Sequence, residues 1–390
     1  MNKFACLCLA LLLSLVTACS GSGGGGSKSD VADPAALTIN VDDGAVDVDV
    51  ATLASVEVEH GTLDEVTLTA GDGSTISGEI ADGVWTASAR LEPATSYILV
   101  AKATGDDGKS VEETRAFTAM AVAEDQQIYP SVAPLAGETV GVGMPVVVLF
   151  DHPVTDRAAF EQHMHVASTP EQNGSWYWLS DSEAHWRPEV YWQAGTTVQV
   201  QLDLNSVPAG DGRYGQESRT IDFSVGSANI YTVDIAGHTM TVERDGQLVK
   251  TLPVTTGDST HQTRVGTKII MEKSPSVDMD AATTGVDSED PGYYRVEGVK
   301  WAMRLTNSGE FIHAAPWSVA SQGNANVSHG CTGMSTENAG WLYGQALRGD
   351  VVTFINGTRQ LEAHNGWTDW NVSWEEYQKG SALYEAAPAA

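Results

Sequence analysis

The sequence predicts an all-β protein, with two β-sandwich domains followed by a β-rich third domain that carries one short helix. Segments that alternate apolar and polar residues recur along the chain, as in "LTINVDDGAVDVDV" at residues 37–50. Turn signals such as "GDDG" at residues 105–108 separate these segments. Short alternating strands joined by frequent turns are typical of antiparallel sandwiches.

Length and charge limit the domain count and the partners. The chain has 390 residues, with 51 acidic and 21 basic side chains, so its net charge is −30. At about 100 to 130 residues per domain, this length predicts three domains, which we place at 37–120, 121–226 and 227–356, with a tail at 357–390. A strongly acidic chain repels nucleic acid, so we expect no nucleic-acid partner. No motif indicates a cofactor.

The N-terminus predicts an export signal. An apolar stretch from Phe4 to Val16 follows a single lysine and is too short for a membrane-spanning helix. "VTAC" at residues 16–19 resembles the lipobox of bacterial lipoproteins, which implies a signal peptide at 1–18 and lipidation of Cys19. A Gly/Ser-rich tether at 19–36 follows it. A plain secretory signal is the alternative.

One cysteine stands apart from the other three. The chain contains Cys6, Cys8, Cys19 and Cys331, and signal cleavage with lipidation of Cys19 leaves a single free thiol. Exported cysteines are normally paired, and an unpaired one is a candidate reactive group. Cys331 lies in "NVSHGCTGMS", among small and polar residues, whereas a structural cysteine usually packs among aliphatic side chains. A leftover loop cysteine is the alternative.

The first two domains show little catalytic chemistry. Residues 37–120 contain no cluster of Ser, His or Cys, so we interpret them as a spacer or binding module. In residues 121–226, His163 and His165, with His152, form only a weak metal signal, and we expect no metal site. The aromatic residues there indicate core and interdomain packing, or else a sugar-binding platform: Trp176, Trp178, Trp186, Tyr191 and Trp192.

The third domain contains the predicted helix. Ser335 is a plausible N-cap, because Ser side chains accept hydrogen bonds from the first free amides of a helix. The apolar residues after it recur at helical spacing and are expected on one face: Ala339, Leu342, Ala346 and Leu347.

The segment "GEFIHAAPWSVASQGNANVSHGCTGMSTENAGWLYGQALRGDVVTFING" at residues 309–357 resembles the active-site region of bacterial L,D-transpeptidases, which cross-link peptidoglycan through a catalytic cysteine. Their signature is a His, about twenty residues, then Ser-His-Gly-Cys. "WRPEVYWQAGTTVQV" resembles their immunoglobulin-like domain, and "GWTDWNVSWEEYQKG" their Trp-rich tail. The resemblance covers roughly residues 121–380 and implies that the sandwiches are immunoglobulin-like.

The resemblance implies a catalytic set. Cys331 would be the nucleophile, His313 the base, and His329 a group on the substrate or oxyanion side. Backbone N–H groups of His329, Gly330 and Cys331 would form the oxyanion hole. A thiol acts as a nucleophile in its thiolate form, so we expect neighbouring groups to hold the pKa of Cys331 below the free value of about 8.5.

The resemblance also implies the substrate walls. These are Ser328, Trp317, Tyr294, Arg295, Met271 and Ala314, with the loop at 287–304 as a lid. Arg295 is suited to pair with a carboxylate of the acidic stem peptide. Ordinary loop packing or core filling is the alternative for Tyr294, Arg295 and Met271. Two positions depart from the family pattern: Ala314 replaces a Ser after the base, and Gly333 replaces an Arg or Asn after the cysteine.

Three function classes follow. The first is a transpeptidase that forms 3→3 cross-links from a donor tetrapeptide and an acceptor amine, anchored by lipid to the cell membrane and facing the cell wall. The second is an L,D-carboxypeptidase that hydrolyses the same thioester. The third is a non-catalytic wall-binding lipoprotein, which the complete His and Ser-His-Gly-Cys set disfavours. The resemblance also implies inhibition by carbapenems.

The C-terminal tail is strongly aromatic. Trp367, Trp370, Trp374 and Tyr377 lie within eleven positions, and the last three fall on one face if the segment is helical. Aromatic rings carry a large apolar area that stabilises a fold only when buried. We expect the tail to pack on the catalytic domain and to clamp it to the preceding domain. Glycan binding is the alternative.

Overall fold

The computed structural model describes residues 32–284, 289 and 293–385. The predicted signal peptide, Cys19 and most of the tether therefore lie outside the described residues, as does most of the 287–292 part of the expected lid. In the described part of the chain, no helix is both long enough and apolar enough to cross a membrane.

The first domain is a sandwich of two four-stranded sheets, with strand orders β1-β2-β6-β5 and β4-β3-β7-β8. Alternate residues of β7, including Tyr97 and Leu99, are buried against Trp85 of the facing sheet. The strands are β1 Ala36–Ile39, β2 Ser55–Glu59, β3 Gly61–Ala70, β4 Thr75–Ile76, β5 Gly78–Ala81, β6 Val84–Ala87, β7 Ser96–Gly105 and β8 Ser110–Thr118.

The second domain is also a sandwich of two four-stranded sheets, ordered β10-β12-β15-β14 and β11-β19-β16-β13, beside a small sheet β17-β18-β9. Helix α1 is capped by Asp156, whose side chain accepts from the Ala159 amide. The elements are β9 Gln127–Ile128, β10 Pro130–Ala133, β11 Thr139–Val140, β12 Val146–Phe150, α1 Arg157–Glu161, β13 Met164–Thr169, β14 Gly174–Ser180, β15 Glu183–Pro188, β16 Thr197–Leu202, β17 Pro208–Gly210, β18 Arg213–Gly215 and β19 Arg219–Val225.

The aromatic residues of the second domain lie in its core. The four tryptophans are buried there, while Tyr191 packs against the core and contacts the tail residue Trp370 at 4.4 Å between ring centres. His163 contacts Arg90 of the first domain at 3.2 Å. Among the described residues, no group of three or more His, Cys, Asp or Glu could hold a metal ion.

The third domain consists of a five-stranded sheet, β22-β21-β20-β28-β23, and a four-stranded sheet, β24-β25-β26-β27. Ser335 caps α2, and Ala339 and Leu342 on this helix are fully buried, as predicted, whereas Ala346 and Leu347 follow the end of the helix. The elements are β20 Asn229–Asp234, β21 Thr239–Arg244, β22 Gln247–Pro253, β23 Gly266–Ile269, β24 Glu272–Asp280, β25 Arg295–Arg304, β26 Phe311–Ala314, β27 Thr332–Met334, α2 Thr336–Gln345, β28 Val351–Ile355 and α3 Trp374–Gln378. The all-β prediction is confirmed.

The second and third domains share a core. Ile269 and Val351 of the third domain belong to the hydrophobic cluster of the second sandwich. Arg348 also donates to both carboxylate oxygens of Glu138, at 2.8 and 2.6 Å. Burial of continuous apolar surface at this junction fixes the third domain on the second.

The aromatic tail contacts both of these domains. The Trp370 indole donates to the Gly143 carbonyl at 2.7 Å, and Tyr377 stacks on Tyr177 at 5.1 Å between ring centres. Towards the third domain, the Asn371 amide donates to the Thr267 carbonyl at 2.7 Å. Trp370 lies in a separate 3-10 turn before α3, so the rings do not follow one helix face. Instead, the guanidinium of Arg187 packs against the rings of Trp370, Trp374 and Tyr377, 4.2 to 5.3 Å from their centres.

Candidate active site

Strand pairing places the predicted base beside the predicted nucleophile. Strands β26 and β27 are parallel neighbours, with His313 opposite Gly333, and Cys331 directly precedes β27. His313, His329 and Cys331 line one cavity of about 290 Å³. The parallel pair therefore brings together residues that lie eighteen positions apart in sequence.

The thiol of Cys331 is buried. The residue is 6% exposed and packs with Met279, Val299 and Phe311. Its Sγ–H donates to the Gly309 carbonyl at 3.6 Å. Burial raises the pKa of Cys331 to about 12. The prediction of a pKa below the free value is therefore wrong for this structure, because an apolar surrounding disfavours the charged thiolate.

His313 is oriented for proton acceptance. Its Nδ1 lies 2.9 Å from the Ala314 carbonyl, which can only accept, so Nδ1 carries the hydrogen and Nε2 is free to take a proton. The imidazole is 5% exposed and stacks with Trp317. Burial lowers the pKa of His313, which keeps it neutral at pH 7. A backbone carbonyl thus supplies the orientation that Ala314 cannot supply from its side chain.

His329 lies at the mouth of the cavity. Its ring is exposed and lies between His261 and Tyr294, with ring centres 4.4 and 4.8 Å away. Partial desolvation of the ring by its neighbours, and then the charge of the nearby His261, lower the pKa of His329. His261 was not predicted from the sequence, because it reaches the site from a loop almost seventy positions earlier, where Asp258 holds it at 3.1 Å.

The Ser-His-Gly-Cys loop is held by its own hydrogen bonds. The Ser328 hydroxyl donates to the Cys331 carbonyl at 2.6 Å and accepts from the Gly330 amide at 3.1 Å. The Thr263 hydroxyl donates to the Gly330 carbonyl at 2.7 Å. Gly330 has a φ of +119°, which glycine adopts without strain. Because Ser328 occupies the Gly330 amide, that amide is not free for an oxyanion, contrary to prediction.

Comparison with known proteins agrees with this arrangement. Residues 45–208 match the bacterial Ig domain model, and residues 228–354 match the L,D-transpeptidase catalytic domain model. The chain is 36% identical to L,D-transpeptidase 2 of Mycobacterium tuberculosis strain CDC 1551 / Oshkosh, over 89% of this chain and 85% of that protein. The chain belongs to the L,D-transpeptidase family.

Further relatives lead to the same family. L,D-transpeptidase 5 of Mycobacterium tuberculosis strain H37Rv is 35% identical over 91% of this chain and 79% of its own length. A solved structure of LD transpeptidase LdtMt1 in complex with imipenem superimposes with a TM-score of 0.51, at 36% identity. That superposition covers 58% of this chain and 97% of the solved chain.

Three of the predicted substrate-wall residues of this L,D-transpeptidase line the cavity beyond the catalytic set. Trp317 and Tyr294 do so, and Trp317 is 61% exposed at the rim. Burial raises the pKa of Tyr294 to about 12, so its hydroxyl stays protonated. Ser328 also lines the cavity, although its hydroxyl is committed to the loop.

Three other predicted wall residues are not among the described residues that line this cavity. Arg295 pairs with Glu297 at 3.1 Å, since side chains two apart share one face of a strand. The adjacent Tyr294 points to the other face. Met271 lies under the tail, where a Cβ on Gly366 would meet its sulfur at 3.0 Å. Ala314 is buried and acts through its carbonyl.

The second departure of this L,D-transpeptidase from the family pattern has a packing reason. A Cβ on Gly333 would lie 2.9 Å from the Ala315 Cβ and 3.1 Å from the Thr255 Cγ2. Gly333 and Thr255 also exchange two backbone hydrogen bonds, of 2.8 and 3.0 Å. Thr255 therefore occupies the space that a longer side chain at position 333 would need.

Proposed function

We propose that this protein forms 3→3 cross-links in peptidoglycan, using Cys331 to carry the acyl group. The observation that carries the proposal is the single cavity lined by Cys331, His313 and His329, within a domain that matches the L,D-transpeptidase catalytic domain. The relatives are named L,D-transpeptidases. The substrates are a donor tetrapeptide stem and an acceptor amine on a neighbouring stem.

The first half-reaction forms a thioester. Cys331 Sγ attacks the carbonyl carbon of the third, diaminopimelate-type residue of the donor, and its proton passes to Nε2 of His313. The other backbone N–H groups of the predicted oxyanion hole, those of His329 and Cys331, would stabilise the negative charge on the carbonyl oxygen. The carbon–nitrogen bond to the terminal D-Ala then breaks, and the leaving amine takes the proton from His313.

The second half-reaction releases the enzyme. The amine of the acceptor stem attacks the thioester carbon, the carbon–sulfur bond breaks, and the thiol recovers a proton. The buried sulfur and the apolar lining of Met279 and Val299 support amine over water as the acceptor, since they limit the access of bulk water.

Digestion of sacculi tests the assignment. Purified sacculi with tetrapeptide stems are incubated with the full chain, digested, and analysed by mass spectrometry. We expect 3→3 linked dimers with release of D-Ala. Free tripeptides without dimers would show that water resolves the thioester and that the protein is an L,D-carboxypeptidase.

The lipid anchor is part of the same proposal. "VTAC" at 16–19 and the Gly/Ser-rich tether support lipidation of Cys19 and a position on the outer face of the cell membrane, facing the cell wall. We expect the wild-type protein to stay with membranes after a salt wash and a Cys19→Ser variant to be released. Retention of the variant would count against the anchor.

A carbapenem would react at the same sulfur. The imipenem complex of LdtMt1 is a relative's structure, and the shared catalytic domain supports the same inhibitor class here. The β-lactam carbonyl would take the place of the donor carbonyl in the first half-reaction.

A further inference from the structure

A charged cluster is buried behind the nucleophile. The side chains of Lys268, Glu310 and Arg264 are 0, 5 and 12% exposed. Lys268 Nζ donates to Glu310 Oε2, and Arg264 donates to Glu310 Oε1 from its guanidinium at 2.9 Å and from its backbone amide at 3.2 Å. Buried charges require partners, and all three have one.

Glu310 connects this cluster to the thiol. It lies between Gly309, whose carbonyl accepts from Cys331 at 3.6 Å, and Phe311, whose backbone N–H donates towards the sulfur. Its Cγ and Oε1 are each 3.7 Å from the place of a Cβ on Gly330. The backbone segment that contacts the sulfur is therefore held through the Glu310 carboxylate.

The cluster has more positive than negative charge on the buried side. Lys268 and Arg264 are two cations against the single buried carboxylate of Glu310. The second carboxylate, Glu362, also pairs with Arg264 but is 50% exposed. Coulomb interactions are stronger in a poorly solvated interior than at the surface, so the buried charges of Lys268 and Glu310 act on the nearby sulfur in opposite directions.

Other ionisable groups also face Cys331. From β25 comes Arg304, stacked over the Phe311 ring at 4.4 Å, and directly before β25 lies Tyr294. His313 approaches from β26, and His329 from the loop before Cys331. Because these two imidazoles have lowered pKa values, Lys268 and Arg304 are the cations that favour the thiolate, and Glu310 opposes them.

We propose that Lys268 is a positioning residue for the reaction, which favours the thiolate of Cys331 from the buried side while Glu310 holds it in place and limits its effect. The proposal rests on Cys331 being the nucleophile. Burial raises the pKa of Cys331, and Lys268 acts in the opposite direction, so the pair adjusts how readily the sulfur loses its proton.

A purely structural ion pair would behave differently. If the pair only stabilised the fold, loss of either partner would change the reaction of Cys331 in the same direction, slower through distortion of the site or faster through exposure of the buried thiol. If the pair acts on the sulfur by charge, loss of Lys268 and loss of Glu310 change the reaction rate of Cys331 in opposite directions. Lys268→Met removes one of the two buried cations and disfavours the thiolate, whereas Glu310→Gln removes the buried carboxylate and favours it.

The test is the pH dependence of alkylation. The full chain is treated with iodoacetamide between pH 7 and 10, and modification of the peptide that contains Cys331 is followed by mass spectrometry. We expect Lys268→Met to react about threefold to tenfold more slowly than wild type at each pH, and Glu310→Gln to react faster by a similar factor. Shifts in the same direction, or no shift in either variant, would overturn the proposal.

Two further variants keep the test decisive. Lys102→Met removes the lysine of an exposed Lys–Glu pair in the first domain and is expected to leave the profile unchanged. If Lys268→Met does not fold, Arg264→Gln replaces it, since Arg264 is the other cation on Glu310, and slower alkylation is again expected. The alkylation rate reports thiolate whether or not the protein cross-links sacculi, so the two proposals fail separately.

Discussion

The imidazole of His313 donates from Nδ1 to the carbonyl of Ala314, the next residue in the chain, at 2.9 Å. This short local bond fixes the tautomer and leaves Nε2 as the acceptor. Because the carbonyl orients the imidazole, the site does not need a serine side chain at position 314 for this role.

Loss of His313 is predicted to affect acylation more than loss of His329. His313 is buried and neutral, so it can accept the thiol proton, whereas His329 is exposed at the cavity mouth. General-base catalysis contributes about 10²- to 10⁴-fold to a rate. We expect His313→Ala to slow imipenem acylation within this range and to raise the pH at which it occurs, and His329→Ala to do so less. Equal or reversed effects would reject the assignment.

The fall of the wild-type acylation rate at low pH also reports on His313. Burial lowers the pKa of His313 from its usual 6.5, so protonation that removes the base occurs only below that pH. The acylation rate of wild type should therefore fall on the acid side of pH 6.5. A fall centred above pH 6.5 would not agree with a buried neutral base.

Gly333→Ala is predicted to weaken both stability and acylation. The new Cβ would lie 2.9 Å from the Ala315 Cβ, so the strand beside Cys331 must shift. Overpacking of this kind costs about 1–3 kcal/mol. Gly344→Ala is the matched control, since nothing lies within 4 Å of its Cβ in α2 and the change should stabilise by about 0.5–1 kcal/mol. Thermal denaturation and acylation rates check both, and equal melting temperatures for the two variants would contradict the packing argument.

Truncation after Asn356 is predicted to lower the melting temperature and to leave sacculus binding largely intact. The tail buries Tyr377 and packs Trp370 on the second domain, while Asn371 bonds to the third. Its removal exposes apolar surface at the junction. If stability is unchanged and sacculus binding falls, the tail is a glycan-binding element.

The pair formed by His185 and Asp369 predicts a pH-dependent stability. Burial alone would lower the pKa of His185, but Asp369 at 2.9 Å and Glu183 at 2.9 Å raise it to about 9. A raised pKa means that the stabilisation is complete below pH 6.5 and is lost as the pH rises towards 9. The melting temperature of wild type should fall over this window more than that of His185→Gln, while His165→Gln, at an exposed position, should follow wild type. Parallel curves for wild type and His185→Gln would disprove the linkage.

Contiguous features of the site were predictable from sequence. Ser328 to Cys331 and the helix capped by Ser335 are local patterns, and the alternating strands gave the fold class. His261, Thr263 and Glu310 were missed because they reach the site from separate loops and strands, where no spacing marks them. Arg295 was wrongly predicted to line the cavity, because adjacent strand residues face opposite sides. Since Tyr294 lines the cavity, Arg295 points away from it.

The burial of Cys331 also could not be predicted from its neighbours. Small and polar residues around it indicated an accessible thiol, but the side chains that cover the sulfur, such as Met279 and Val299, come from β24 and β25. Only strand pairing across the sheet brings them there. The same pairing sets the pKa of the thiol.

The proposed reaction depends on Cys331 to carry the acyl group. The most direct measurement is intact-mass and peptide mass spectrometry of the full chain after incubation with imipenem. We expect one covalent adduct, located on the peptide that contains Cys331, and no adduct on the Cys331→Ala variant under the same conditions. A Cys331→Ala protein that still gains the mass of the carbapenem would contradict it.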